Sequence, residues 1–143
     1  MNADETADKV ARAMLAAEGT GPAWGVEILE AREGYALIRM AVRPDMLNGH
    51  GTAHGGIVFA LADTAFAYAC NSRNLRTVAA QASIVFLDAA REGEVLVAEA
   101  EEVALVGRSG VCNVSVTTAD GRAVAEFQGY SRSLGGPVIG ENE

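Results

Sequence analysis

The chain contains few of the residues that hold metal ions or form disulfides. Its 143 residues include two cysteines, Cys70 and Cys112, and two histidines, His50 and His54. The cysteines do not have the spacing of a metal site, and two cysteines do not make a disulfide framework. We therefore predict that the protein uses no metal and no other cofactor. We expect both cysteines to pack as small buried apolar residues.

Long apolar runs and positive charge are also scarce. The formal net charge is −8, which argues against a general nucleic-acid-binding protein because a phosphate backbone repels such a surface. Asp63 interrupts the longest apolar run before it reaches membrane-spanning length, and the first five residues lack the basic-then-apolar order of a signal peptide. We expect a cytoplasmic protein that binds neither nucleic acid nor membrane. A small anionic ligand would need only two or three local cations.

Composition and periodicity indicate one folded domain over residues 1–143. Half of the residues are apolar and 21% are charged, as in a globular chain. The pattern predicts helices at 6–18 and 54–71 and strands at 24–30, 35–42, 78–87, 94–106, 110–118 and 123–133. The second helix is apolar on nearly every face and needs cover on most sides. We predict an α+β fold in which a curved antiparallel sheet wraps this helix and a second subunit closes its remaining face.

One carboxylate lies inside the apolar helix. Asp63 has no lysine or arginine in its own segment, so its burial is costly unless another element supplies a partner. The structural explanation is that Asp63 caps a neighbouring element or forms an ion pair with Arg73 or Arg76. The functional explanation is a catalytic acid, because buried titratable groups concentrate in active sites.

Two glycines stand at the predicted start of the same helix. Gly55 and Gly56 follow His54, and backbone N–H groups at a helix start are free and lie at the positive end of the helix dipole. Glycine also lets a ligand oxygen approach the backbone closely. Gly56 and Asp63 are about 10 Å apart along the axis, too far to act on one carbonyl carbon. If they serve one reaction, we expect them to come from two subunits.

The run from Asn48 to Asp63 resembles the signature of hotdog-fold acyl-CoA thioesterases. Its flanks, Met46 to His50 and Leu61 to Ser72, are similar to the members that hydrolyse phenylacetyl-CoA in bacterial phenylacetate degradation. The likeness continues through 84–87, 107–111 and 131–136. It implies a five- to six-stranded antiparallel sheet around one long central helix, paired into dimers that form tetramers. It also implies an acyl-CoA substrate, such as phenylacetyl-CoA or its ring-hydroxylated relatives, that is cleaved to the free acid and CoA.

The resemblance also assigns roles to residues. Gly55 or Gly56 would polarise the thioester carbonyl through its N–H, and the partner subunit's Asp63 would attack or activate water. Asn48 would orient the water or the carbonyl, and His54 would shape the loop. The substrate-binding candidates are Thr64, Phe66 and Tyr68 around the acyl group and Arg108, Ser109 and Gly110 at the CoA phosphates, with Arg73 and Arg132 as further cations. Thr64 could equally bond a helix carbonyl, and both aromatic rings could be core residues.

Two other functions fit the same fold. An enoyl-thioester hydratase or dehydratase needs an acid–base pair at the mouth of the helix, commonly histidine with a carboxylate. The glycine pair and the deep Asp63 suit attack on a carbonyl better. A non-catalytic acyl-CoA sensor would lack a nucleophile or carry an effector domain, and Asp63 is present in this chain.

Overall fold

The computed structural model describes residues 1–140 and contains three α-helices, one 3-10 helix and six strands. The helices are α1 (Ala3–Ala17), α2 (Thr20–Trp24) and α3 (Gly55–Cys70), and the 3-10 turn is Pro44–Met46. The strands are β1 (Glu27–Arg32), β2 (Tyr35–Ala41), β3 (Thr77–Phe86), β4 (Val95–Val106), β5 (Ser109–Thr118) and β6 (Ala123–Ser133). All strand pairs are antiparallel, in the order β1-β2-β4-β5-β6-β3. The predicted α+β architecture, with an antiparallel sheet and one long central helix, is confirmed.

The sheet buries one face against α3 because its strands alternate apolar and polar residues. The inward positions of β4 and β5 are almost completely buried, namely Leu96, Ala98, Ala100, Cys112, Val114 and Val116. The helix contacts every strand of the sheet. Small alanines at these positions let the sheet curve closely around the helix, whose own buried face includes Val58, Leu61 and Phe66. Asp63 and Thr64 lie on the remaining, partly exposed face of α3.

Two predicted boundaries near the N-terminus are wrong. The first helix begins at Ala3, because the Asn2 side chain accepts a hydrogen bond from the Glu5 N–H at 2.8 Å and caps it there. Trp24 belongs to the short helix α2 instead of a strand. Gly25, with φ of 71°, ends that helix in the left-handed conformation, so the strand starts only at Glu27.

Strand β3 forms an unprotected edge of the sheet. It pairs only with β6 among the described strands, and its sequence contains no charged residue and no proline. Val78, Val85 and Phe86 on it are 46%, 60% and 53% exposed. Edge strands of monomeric proteins usually carry charges or prolines that prevent pairing with another chain. This edge therefore lacks the usual protection against pairing with another strand.

One close approach between helix and sheet predicts a loss of stability. A Cβ atom on Gly129 of β6 would lie 2.8 Å from three ring carbons of Phe66, which is fully buried beneath the strand. We expect Gly129→Ala to lower the free energy of unfolding by about 1–3 kcal/mol because the ring has no free space to move into. Urea denaturation measures this, with Gly19→Ala as a control, because Gly19 is exposed, has φ of −79° and has no atom within 4 Å of an added Cβ. A Gly129→Ala protein as stable as wild type would contradict the packing described here.

Candidate active site

The start of α3 is a fixed turn with one free backbone donor. His54 is the cap residue, with φ of −59° and ψ of 135°, and its Nδ1 atom accepts the Gly56 N–H at 2.8 Å. The N–H groups of Ile57 and Val58 donate to the His54 carbonyl. Within residues 1–140 the Gly55 N–H has no acceptor. Gly55, and not Gly56, is therefore the donor available to a ligand.

The loop before the helix is held by Asn48. Its Oδ1 atom accepts hydrogen bonds from the N–H groups of His50 (2.9 Å) and Thr52 (3.2 Å) and from the Thr52 hydroxyl (3.3 Å). The Nδ2 group of Asn48 makes no hydrogen bond to any described residue. Asn48 thus shapes the loop through its oxygen and keeps its amide nitrogen free to donate. His50 lies exposed on the outside of the loop.

Asn48 and Gly55 line one cleft of about 390 Å³. The other walls are mainly apolar and come from Ala53, Val58, Phe86, Leu87, Asp88, Ala89 and Ala90. The Phe86 ring lies over the helix start, and a Cβ atom on Gly55 would be 3.2 Å from its Cζ atom. A glycine therefore fits here with little room to spare. The cleft has the size and the mixed walls of a small-molecule site.

Asp63 is half-buried and unpaired. Among the described residues it forms no salt bridge, and burial is the cause that raises its pKa. The alternative of an ion pair with Arg73 is wrong, because Arg73 bridges Glu33 at 3.2 Å and also binds Glu102. A carboxylate with a raised pKa and no cation is a better base and nucleophile than an ordinary aspartate.

The raised pKa of Asp63 leads to a prediction about stability and pH. The pKa of Asp63 is higher in the folded protein than in the unfolded chain. Burying the charged carboxylate therefore lowers the free energy of unfolding at a pH above the folded-state pKa. This cost disappears at a pH below the unfolded-state pKa, where the carboxyl is protonated in both states. We expect Asp63→Asn to raise the midpoint of thermal unfolding at neutral pH and to lose this advantage as the pH falls toward 4. Thermal unfolding of both proteins across this range measures the difference. An advantage that is independent of pH would contradict the assignment of the cost to the charge.

The three predicted acyl-pocket residues all have partners within the chain. The Thr64 hydroxyl donates to the Ala60 carbonyl at 2.7 Å, the ordinary arrangement of a helical threonine. Phe66 packs against Phe127 and Tyr68 donates to the Glu18 carboxylate, and both rings are 1% exposed. Phe66 and Tyr68 thus lie in the core of the single chain, and the assignment of all three residues to an acyl pocket stays a prediction.

The predicted CoA-contacting residues lie at the opposite end of the molecule from Gly55. Arg108 lies in the turn between β4 and β5, and Ser109 and Gly110 are the first residues of β5. Arg132 approaches the Ser109 hydroxyl at 3.5 Å. Arg108 lines a second cavity, of about 240 Å³, near the end of α3. This cavity also contains Glu102 and Ser131, which are not among the site residues predicted from the sequence. Glu102 follows the buried residues Leu96, Ala98 and Ala100 at a spacing of two along β4. This alternation places Glu102 on the inward face of the strand and could have identified it from the sequence.

Two further properties of residues 1–140 concern metal ions and membranes. No three metal-ligating side chains come together in this part of the chain. None of its helices combines the length and the hydropathy needed to cross a bilayer.

Comparison with known proteins defines the class. The model of the thioesterase superfamily matches residues 50–125, which include the α3 start, Asp63 and most of the sheet. The chain belongs to this family and is a thioester hydrolase.

Particular relatives are similar over almost the whole chain. The acyl-coenzyme A thioesterase PaaI of Escherichia coli is 40% identical over 131 residues, which cover 92% of this chain and 94% of the relative. The solved structure of E. coli PaaI, from the phenylacetic acid degradation operon, superposes with a TM-score of 0.93 at 38% identity and covers 95% of this chain and 99% of that one. A hypothetical thioesterase from Streptococcus pneumoniae, solved with coenzyme A, superposes with a TM-score of 0.76 at 30% identity. The match covers 78% of this chain and 88% of that one.

Proposed function

We propose that the chain hydrolyses acyl-CoA thioesters of the aryl-acetyl type, such as phenylacetyl-CoA and its ring-hydroxylated relatives, to the free acid and CoA. The observation that carries this proposal is the free Gly55 N–H at a rigid helix start in a chain that also holds an unpaired Asp63. The similarity to the acyl-CoA thioesterase PaaI supports the substrate class. The mainly apolar cleft beside Gly55 supports an aromatic acyl group, since Phe86 offers it a ring surface.

The site is built from two protomers. Gly55 and Asp63 are eight residues apart on one helix, which separates them by about 12 Å along its axis. A two-fold dimer brings the Gly55 of one protomer to the partner subunit's Asp63 and makes two equal sites. The uncharged edge of β3 and the partly exposed face of α3 support pairing at this side of the molecule. Two such dimers would form a tetramer.

The reaction then needs few groups. The Gly55 N–H donates to the thioester carbonyl oxygen and stabilises the negative charge that develops there. The partner subunit's Asp63 attacks the carbonyl carbon or takes a proton from the attacking water, and the carbon–sulfur bond breaks to release CoA thiolate. The Asn48 amide nitrogen orients the water or the carbonyl. His54 keeps the turn in place through its bond to Gly56. Thiolate is a good leaving group, so no strong general acid is required.

The CoA portion extends away from the acyl cleft. Arg108, with the backbone of Ser109 and Gly110, is suited to the phosphates because Arg108 has no salt bridge to a described residue. Arg132 lies beside the same turn. Two or three cations of this kind suffice for an anionic ligand on an acidic protein. Release of free CoA suits a cytoplasmic enzyme.

Thiol release separates this function from its alternatives. The purified protein is incubated with phenylacetyl-CoA, with an aliphatic acyl-CoA of similar length and with an enoyl-CoA, while free thiol and double-bond absorbance are followed. We expect thiol release from the aryl-acetyl ester at a higher kcat/KM than from the aliphatic ester. Hydration of the enoyl ester without thiol release would indicate a hydratase. Tight binding of all three without turnover would indicate a sensor.

A further inference from the structure

One wall of the cleft beside Gly55 is a stretch of irregular chain. Residues 86–90 form one continuous part of the lining, and only Phe86 among them belongs to a strand. Leu87 is 55% exposed, so packing against the core does not hold its side chain in place. A wall of this kind keeps one shape only if other parts of the molecule restrain it.

An arginine outside the cleft supplies such a restraint. Arg122 lies between β5 and β6, and its Nη1 atom donates to the Asp88 carboxylate at 3.0 Å and to the Ala89 carbonyl at 3.2 Å. Its Nη2 atom donates to both carboxylate oxygens of Glu94, at 2.7 and 2.6 Å. No other described residue donates to the Ala89 carbonyl. One guanidinium therefore ties the wall segment to the far end of its own loop.

The turn that carries Arg122 is itself fixed. The Thr118 hydroxyl accepts the Arg122 N–H at 3.0 Å and donates to the Asp120 carboxylate, and Thr118 is 3% exposed. The Thr118 N–H donates to the Arg122 carbonyl at 2.9 Å. Gly121, with φ of 96°, takes the left-handed conformation that this turn requires. The guanidinium thus reaches out from a rigid support, so the loop follows Arg122 and not the reverse.

The restrained segment also supports the start of α3. The Ala90 carbonyl accepts the Ala53 N–H at 2.8 Å, and Ala53 directly precedes the cap residue His54. The segment therefore contacts the turn that presents the Gly55 N–H. Its position sets the distance between the cleft wall and the helix start.

We infer that Arg122 is a positioning residue that sets which acyl groups the cleft accepts, an inference that rests on the function proposed above. Arg122 is not part of the cleft lining and touches no reacting atom. It holds the wall formed by residues 86–90 where that wall packs against an aromatic acyl group. Without Arg122 the wall moves and the ring loses this packing. A two-carbon acyl group is too short to reach the wall and binds as before.

Binding of two non-hydrolysable thioethers tests the inference without turnover. S-phenethyl-CoA and S-ethyl-CoA have the carbon skeletons of phenylacetyl-CoA and acetyl-CoA but lack the carbonyl oxygen. We expect isothermal titration calorimetry to show that wild type binds the phenethyl compound about tenfold or more tightly, because only its ring is buried against the wall. In Arg122→Gln we expect this ratio to fall by about fivefold or more, through weaker binding of the phenethyl compound. If Arg122→Gln does not fold, Arg122→Lys replaces it, since lysine keeps the charge but lacks the planar fork that reaches all three partners.

The ratio of the two affinities separates positioning from a general structural role. Loss of folded protein weakens the apparent binding of both compounds equally, so equal weakening would overturn the inference. Arg39→Gln is the matched control, because it breaks the exposed pair of Arg39 with Glu27, at 3.2 Å, outside the cleft. The ratio should be unchanged in this control.

Two further results would overturn the inference, namely a wild-type protein without preference for the phenethyl compound and a ratio that is unchanged in the Arg122 variant. Failure of the proposed function gives a different result. If the ratio falls as expected but wild type hydrolyses no thioester, the role of Arg122 stands and the proposed function fails. If thiol is released but the ratio does not depend on Arg122, the proposed function stands and the positioning role fails.

Discussion

Asp63→Asn is expected to lower kcat for phenylacetyl-CoA hydrolysis by roughly a thousandfold, because the amide can neither attack the carbonyl nor accept a proton from water. The change preserves the shape of the side chain, and no salt bridge to a described residue is lost. We therefore expect an intact fold and little change in the affinity for CoA. Steady-state kinetics by thiol release, with circular dichroism of both proteins, measures the effect. Thr64→Val is the matched control, since the Thr64 hydroxyl only bonds its own helix.

An Asp63→Asn protein within about tenfold of wild type would remove Asp63 from the chemistry. The pH profile gives a second criterion. If Asp63 acts as a carboxylate, kcat/KM of the wild type falls as the pH drops through its raised pKa, at a higher pH than an ordinary aspartate would give. The residual kcat/KM of the Asp63→Asn variant should not show this decrease at low pH.

Gly55→Pro is expected to reduce kcat roughly a hundredfold or more, because proline removes the N–H at the helix start that has no acceptor within residues 1–140. Proline is favoured at the first position of a helix, and its neighbour His54 already has the extended conformation that precedes proline, with φ of −59° and ψ of 135°. The helix should therefore form as before. Kinetics with phenylacetyl-CoA measures the loss, which should appear in kcat more than in KM because the donor acts on developing charge.

Gly55→Ala is the control for this substitution. It places the same Cβ atom against Phe86, 3.2 Å from the ring, but keeps the N–H. We expect it to retain far more activity than the proline variant. Equal losses in the two variants would assign the effect to crowding by Phe86 and would argue against an oxyanion donor at Gly55.

Mixing the two inactive proteins tests the assembly. In a dimer of one Asp63→Asn chain and one Gly55→Pro chain, one site carries both changes and the other carries neither. Random exchange of subunits should therefore restore roughly a quarter of the wild-type activity. No recovery after verified exchange would show that both groups act from the same chain.

The architecture could be predicted from the spacing of the apolar residues along the chain. The strand prediction that failed has a local cause. The switch from helical to alternating spacing after Asn71 predicts the strands that β3 to β6 confirm. The strand prediction at Trp24 fails because its apolar neighbours resemble a strand, while the preceding Gly21 and Pro22 favour a short helical turn. The buried position of α3 is predictable since its apolar residues surround the axis.

The site is predictable in type and less so in detail. Asp63 stands out by its charge, and the glycine pair by its place at a helix start. Sequence alone leaves open which glycine donates, because this depends on the His54 ring accepting the Gly56 N–H. Glu102 is hard to single out among nineteen acidic residues, although its inward phase separates it from its outward neighbours Glu99 and Glu101. Phe86 gives no signal, since an apolar residue at a strand end is ordinary.

The uncharged edge of β3 would tie catalysis to protein concentration in the proposed dimer. If each site is completed by a second chain, separated protomers are inactive, and dilution should lower specific activity along the same curve as dissociation. A protomer that loses its partner also exposes Val85 and Phe86 on an open strand, which favours irregular association with other edges. Selection for activity and selection against aggregation would then act on the same ten residues.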